Sequence, residues 1–328
     1  MMKKDIDGIN TSQLEISYET LWKSIIRPPK DEYDLDQLGD KKFNHKGKIY
    51  IRHDYELINK RGYLIQCSFL EQDIETRENY LMPVVIYLHG NSSSRVEGFR
   101  NAPDILKNGI NVVIFDFAGC GLSEGEYISL GWFEKDDVRL IIDFVEKLPG
   151  VLSIGLWGRS MGAATTMFYA HSDERIKAIC MDSPFSDFKL LAKELCLKYI
   201  TLPNFVLTTT MNFVKNTVKE KCGLDIDKLK PILYANKTKT PAFFLHAVGD
   251  ELISLEQTLK LVEEYKGEKF INVVEGGHNS LRQKHVLEKI ASFFVNYLYK
   301  ENEKEISSYI KVNKLIENKF KIIYNNDF

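Results

Sequence analysis

Eleven residues, Ile154-Gly155-Leu156-Trp157-Gly158-Arg159-Ser160-Met161-Gly162-Ala163-Ala164, restrict the folds open to this chain more than any other stretch. A short apolar run enters Gly-Arg-Ser-Met-Gly, and small helix-forming residues leave it. That pattern fits a nucleophile elbow, a sharp strand-to-helix turn that lifts one serine hydroxyl above the edge of a sheet. Ser160 would hold a strained backbone conformation that its surroundings must enforce. Gly158 and Gly162 fall where any side chain would strike the neighbouring strand and helix. The amide of Met161 opens the helix and faces an oxygen made negative by serine attack. The pentapeptide alone is a weak signal; the strand before it and the helix after it are what favour chemistry.

The flanking chain supplies the matching frame. Met82–Leu88 and 111–117 are continuous apolar runs of the kind buried on both faces of a sheet. Further strands are expected at 153–157, 176–181, 241–246 and 270–274, alternating with helices at 133–148, 161–171, 255–265 and 281–298. Short loops between them imply a mostly parallel sheet covered on both faces. Residues 48–71, with a turn at Lys60-Arg61-Gly62, read as an antiparallel strand pair. The stretch 184–240 breaks the rhythm with two helical segments, 189–200 and 204–220, and no strong strand. A helical insertion at that point would sit over the carboxyl edge of the sheet as a small cap. Three parts follow: an N-terminal helical extension (1–47), an α/β domain (48–299, with the cap insertion at about 184–240) and a C-terminal tail (300–328). The extension carries Leu14, Ile16, Leu21, Trp22, Ile25 and Ile26 at helical spacing before Pro28-Pro29. The tail has apolar residues from Ile306 to Ile323 at roughly helical spacing, which fits a helix packed on the body or a loose end.

A serine hydroxyl needs a base within hydrogen-bond reach and a third group to orient that base. In an elbow architecture the chain order is serine, acid, histidine. His278 lies in Glu275-Gly276-Gly277-His278-Asn279, directly after the last expected strand. His171 ends the elbow helix far from the reactive edge, His285 lies within the last helix, and His246 precedes a better acid candidate. That acid is Asp250, at the tip of the loop after the penultimate strand, with Glu251 as the neighbour that could replace it. A second oxyanion donor belongs in the loop after Met82–Leu88, where His89-Gly90-Asn91 stands; the backbone amide of Asn91 would join that of Met161.

Composition narrows the alternatives. Apolar residues make up 44% and charged residues 27%, as in an ordinary globular protein, and a net charge of −2 leaves no footprint for nucleic acid. The five cysteines contain no C-x-x-C pair, which argues for reduced thiols and against a zinc site. The glycine-rich loop 118–125 lacks the spacing of a phosphate or dinucleotide cradle. No cofactor or metal is therefore expected. No apolar run approaches the length of a membrane span, and the lysines near the start have no apolar run behind them, so a cytoplasmic location is the default. Lys193, Lys198, Lys215, Lys219 and Lys221 beside the insertion's apolar residues leave peripheral membrane contact open, against the plainer reading of a solvated face.

Taken together these residues resemble the α/β-hydrolase superfamily, and most nearly a plant- and protist-type branch with a serine aminopeptidase-like domain. The likeness runs over about residues 25–298. It is carried by Ile26-Arg27-Pro28-Pro29, Arg61 to Ser68, His89-Gly90-Asn91-Ser92, Asp116 to Ser123, Ser129-Leu130-Gly131-Trp132, Glu134 to Asp137 and Leu156 to Gly162. The resemblance implies an eight-stranded sheet and the triad Ser160, Asp250 and His278. The expected chemistry is acyl transfer to water from a carboxylic ester or thioester. The insertion's Leu191, Leu195, Leu197, Phe205, Leu207, Met211 and Phe213 could line an acyl pocket or simply pack the insertion down. An aminopeptidase would need an acidic anchor for the substrate ammonium, with Glu194 and Asp187 as possibilities. A non-catalytic binding module on the same fold is the remaining alternative, because fold does not fix function.

Overall fold

A computed structural model describes residues 18–77, 79–199 and 204–300. The chain begins with α1 (Tyr18–Ile26), a hairpin of β1 (Lys42–His45) and β2 (Lys48–Ile58), then β3 (Leu64–Gln72) and β4 (Met82–Leu88). Next come α2 (Arg95–Leu106), β5 (Asn111–Phe115), α3 (Glu134–Val145), β6 (Val151–Arg159), α4 (Met161–Ala170) and β7 (Ile176–Asp182). Helices α5 (Phe188–Tyr199), α6 (Asn204–Cys222) and the short α7 (Ile232–Ala235) precede β8 (Ala242–Ala247), α8 (Leu255–Glu264), β9 (Lys269–Val274) and α9 (Lys284–Leu298).

The strands form one sheet in the order β1-β2-β3-β5-β4-β6-β7-β8-β9. Pairings from β5 through β9 are parallel; β1 with β2, β2 with β3 and β3 with β5 are antiparallel. Among the described residues the sheet has nine strands where eight were expected. The extra one is β1, joined to β2 by a tight turn at Lys46 (φ 50°) and Gly47 (φ 81°) whose two left-handed residues match the sheet's twist. The last helix starts at Lys284, not 281, because residues 280–283 belong to a loop tied to β7 through Arg282.

All seven residues of β4 are buried, which its unbroken apolar run anticipates, and they serve two cores. Val84, Ile86 and Leu88 face one with α3 and α4, while Val85 and Tyr87 face the other with α2 and α9. After β4 the chain moves to β5 on one side, then returns to β6 on the other. That reversal of strand order opens a crevice at the carboxyl ends of β4 and β6, where α/β sheets bind ligands.

Helices α5 and α6 occupy the break in the α/β rhythm. Leu191 is buried and Leu195 packs against the same core, so these two residues hold the segment down; Met211 is half-buried and Phe213 exposed. Leu197, Phe205 and Leu207 lie outside the residues whose side chains are described, as do Leu14, Ile16 and the tail beyond 300. Helix α6 packs on α1, with Lys221 above the Trp22 ring at 4.5 Å. Among the described residues no helix is long and apolar enough to cross a membrane.

Candidate active site

Ser160 occupies the turn between β6 and α4 with φ 51° and ψ −113°, a strained conformation for a residue with a Cβ. Two glycines make the turn possible. A Cβ on Gly158 would lie 2.2 Å from the Gly162 carbonyl oxygen, and one on Gly162 would lie 2.0 Å from that of Leu88. We predict that Gly162→Ala costs about 1–3 kcal/mol, or more if the Leu88 backbone cannot yield. A thermal melt should show a Tm lower by roughly 2–4 °C; an unchanged Tm would mean the elbow has slack that its geometry denies.

The loops after β6, β8 and β9 bring three polar side chains together. His278 Nε2 is 3.0 Å from Ser160 Oγ, and His278 Nδ1 is 2.7 Å from Asp250 Oδ2. Asp250 Oδ1 accepts the amides of Leu252 (3.0 Å) and Ile253 (2.8 Å), which fixes the plane of the carboxylate. Burial would raise the Asp250 carboxyl, but its hydrogen bond to His278, the charge of that ring and the two amides outweigh it and hold the group below its usual range. Glu251, the other acid candidate, bonds the main-chain N–H of His278 at 3.1 Å, so it holds the loop while Asp250 meets the ring.

The remaining histidines are occupied elsewhere. His246 is buried between Thr258 Oγ1 (2.8 Å) and the Ile253 carbonyl (3.0 Å), and burial first of all pushes its pKa down. The His171 ring lies tilted by 52° against Tyr234, and His285 lines a groove of about 1000 Å³ beside Phe243, Phe270 and Phe293 that Ser160 does not line.

The loop after β4 lies against the elbow. A Cβ on Gly90 would sit 3.7 Å from Ser160 Cβ. The Phe117 amide donates to His89 Nε2 (3.1 Å), so the ring carries its proton on Nδ1 and donates to the Gly90 carbonyl (2.8 Å). The Gly90 N–H donates to Glu97 Oε2 (3.2 Å). With a trans peptide, anchoring the Gly90 carbonyl aims the Asn91 N–H the opposite way. The Met161 amide is the first of α4 and has no acceptor within its own helix.

Four charged residues around this centre were missed in the sequence. Arg282 grips Asp182 with two bonds of 2.8 and 2.7 Å and also donates to the Gly277 carbonyl (3.2 Å). Arg159 donates to Glu97 Oε1 (2.9 Å) and to the His278 carbonyl (2.7 Å). Burial would raise the Glu97 carboxyl, but Arg159 and its hydrogen bonds leave it below its usual value. A capping-box signature at Ser94-Arg95-Val96-Glu97 could have revealed α2 and with it Glu97.

The glycine-rich loop 118–125 wraps a carboxylate. Asp116 accepts the amides of Arg95 (2.6 Å) and Leu122 (3.1 Å) and the Tyr33 hydroxyl (2.7 Å), and a Cβ on Gly121 would lie 2.4 Å from its carboxyl carbon. Among the described residues, no group of three His, Cys, Asp or Glu side chains could hold a metal ion.

Comparison with known proteins adds a lineage. A family model described as the alpha/beta hydrolase fold matches residues 83–219, and one described as PhoPQ-activated pathogenicity-related protein matches residues 155–323, just over half of the chain. The protein named YqkD of Bacillus subtilis (strain 168) is 27% identical over 226 residues, covering 67% of this chain and 73% of its own. Lysophosphatidylserine lipase ABHD12 of Danio rerio is 26% identical over 254 residues, covering 73% of this chain and 64% of its own, so the chain spans less than two thirds of that relative. Among solved structures, the Pyrococcus furiosus esterase Pf2001 superimposes with a TM-score of 0.63 at 22% identity, over 83% of this chain and 99% of that one. Est1E from Butyrivibrio proteoclasticus does so with a TM-score of 0.59 at 17% identity, over 74% and 98%. At these identities the superpositions establish a shared fold.

Proposed function

The chain belongs to the α/β-hydrolase superfamily, with the PhoPQ-activated pathogenicity-related family model covering just over half of it, and from that premise we propose a serine hydrolase acting on a carboxylic ester or thioester. The observation that carries this reading is the continuous chain of contacts from Ser160 Oγ to His278 at 3.0 Å and on to Asp250 at 2.7 Å. Ser160 attacks the acyl carbonyl while its proton passes to His278 Nε2. Asp250 keeps the ring in the tautomer that can accept it and stabilises the imidazolium that forms. The amides of Met161 and Asn91 take the negative oxygen of the tetrahedral intermediate. His278 then protonates the departing alcohol or thiol, and a water, deprotonated by the same ring, releases the acid and restores the hydroxyl. Residues 184–240 serve as the cap over this edge.

An aminopeptidase is the weaker reading, although the finer likeness, to a plant- and protist-type branch, carries a peptidase label. Its two possible ammonium anchors are engaged. Glu194 accepts Ser254 Oγ (3.1 Å) and Gln257 Nε2 (3.0 Å), while Asp187 caps the amide of Lys189 (2.8 Å) and pairs with Lys230 (3.4 Å). The lipase and esterase names among the similar proteins lean toward acyl esters. A non-catalytic module would be favoured by a missing triad member, and all three positions are filled. Two of the lysines that would serve peripheral membrane contact are engaged within the protein, Lys215 with Asp227 and Lys221 over the Trp22 ring.

The test is a series of nitrophenyl esters of increasing acyl length beside aminoacyl-anilides. We expect ester kcat/KM to exceed that for anilides by about a hundredfold or more, given how much easier the ester leaving group departs. Dominant anilide cleavage would reverse the assignment.

A further inference from the structure

We propose that Glu97 and Arg159 form a positioning strut that sets the general base and one oxyanion donor relative to each other. The proposal rests on the serine-hydrolase reading above and deepens it. Neither residue is assigned to the reacting atoms; both act through main-chain groups. Glu97 sits in the first turn of α2, buried below the β4 loop. Its Oε2 accepts the Gly90 N–H at 3.2 Å, and its Oε1 accepts the Tyr87 hydroxyl at 2.8 Å and Arg159 Nη1 at 2.9 Å. Arg159 directly precedes the nucleophile. Its second arm, Nη2, donates to the His278 carbonyl at 2.7 Å and to Asn279 Oδ1 at 3.2 Å.

One ion pair therefore joins three separate pieces of chain: the loop carrying Asn91, the elbow carrying Ser160 and the loop carrying His278. The Gly90 residue is held at both ends, by Glu97 at its N–H and by His89 at its carbonyl. The Asn91 amide that follows has its direction set by those two bonds. The far end of the strut holds the carbonyl of the histidine itself.

The geometry also explains the residue types. A guanidinium is a planar fork whose two arms can serve Glu97 and His278 at once, which an ammonium cannot do. A carboxylate offers two acceptor oxygens to the Gly90 N–H, the Tyr87 hydroxyl, the Arg159 guanidinium and the Ser93 side chain, and no amide can replace it without turning an N–H toward one of them. The pair is largely withdrawn from water, with side-chain exposures of 17% for Arg159 and 10% for Glu97, so its geometry is not loosened by solvent.

The experiment measures the rate of fluorophosphonate labelling, steady-state kinetics on a short nitrophenyl ester and thermal melting. It uses wild type, E97Q, R159M, the double variant E97Q/R159M and Ser160→Ala. Labelling of wild type but not of Ser160→Ala secures the underlying reading; if wild type fails to label, that reading falls and the strut falls with it. Given labelling, we expect E97Q and R159M each to lower kcat and the labelling rate by about 10- to 100-fold, because small misplacements of reacting groups cost rates of that size, with KM changed by less than about threefold. The double variant should be no slower than the slower single variant by more than about threefold, since the two residues act as one unit. Losses that multiply in the double variant, or wild-type rates in folded single variants, would overturn the proposal. Should the singles melt far below wild type, E97D and R159K carry the test. Each keeps its charge while shortening the strut or removing its fork, and wild-type labelling rates in both would equally overturn the proposal.

Discussion

Replacing Ser160 by alanine is expected to lower ester turnover by about 10⁴-fold or more and to abolish covalent labelling by a fluorophosphonate. The hydroxyl faces His278 Nε2 at 3.0 Å from the residue that precedes α4, so it is the group that can lose a proton to the ring. Residual hydrolysis should remain above the uncatalysed rate, because the amides of Met161 and Asn91 and the histidine would still bind and polarise an ester. Fold should be unaffected. The backbone at φ 51° strains alanine about as much as serine, so the melting temperature should stay within a few degrees of wild type. Ser160→Gly makes a useful companion, since glycine adopts positive φ freely. It should be as inactive as the alanine variant yet melt at the same or a higher temperature. Persistent labelling in either variant would show that the reactive residue is another nucleophile.

How much of this is legible in the sequence depends on what each residue answers to. The strands at β4, β5 and β7 were readable because each is buried on nearly its whole length and so is largely apolar, with polar residues such as Asn111 and Asp182 kept to the strand ends. Ser160, Asp250 and His278, whose side chains meet at the elbow, could be picked out as candidates because an elbow architecture sets their order along the chain and puts them in loops just after strands. Helix α2 was not, although Ser94 and Glu97 spell its start. Its interior holds Gly98 and Pro103, and its buried face includes Arg95 and Glu97, so the apolar rhythm that marks a helix is faint. Local grammar would send Glu97 back to cap its own helix. In the folded chain it goes to Gly90 and Arg159, a tertiary demand no local rule contains. The β1–β2 turn escaped for a smaller reason. It puts a lysine at a left-handed position where asparagine or glycine would advertise a hairpin. Arg282 and Asp182 lie 100 residues apart, and only the folded sheet brings them together.

The second large effect is expected from Asp250→Asn, which should lower kcat by about 10⁴-fold with little change in fold. The surroundings of this carboxylate dictate the direction. Oδ1 receives two main-chain amides, Leu252 at 3.0 Å and Ile253 at 2.8 Å, so an asparagine must place its carbonyl oxygen there. Its amide nitrogen is then forced into the position of Oδ2, 2.7 Å from His278 Nδ1. A donor now faces the ring nitrogen that had been donating, so the imidazole shifts its proton to Nε2. Ser160 would then meet an N–H in place of a lone pair, and the base would be gone while every heavy atom stayed in place. Glu251→Gln separates the two candidate acids. Glu251 accepts the main-chain N–H of His278, while the ring nitrogens of that histidine meet Asp250 and Ser160, so Glu251→Gln should cost less than about tenfold, the size expected for a loosened loop bond. A crystal structure of the asparagine variant should retain the wild-type positions of residues 250 and 278, and kcat measured on one nitrophenyl ester across the three proteins provides the comparison. If Glu251→Gln proved the more damaging change, the acid would have to be reassigned by one residue, and the orientation of the imidazole would have to be explained through the loop backbone.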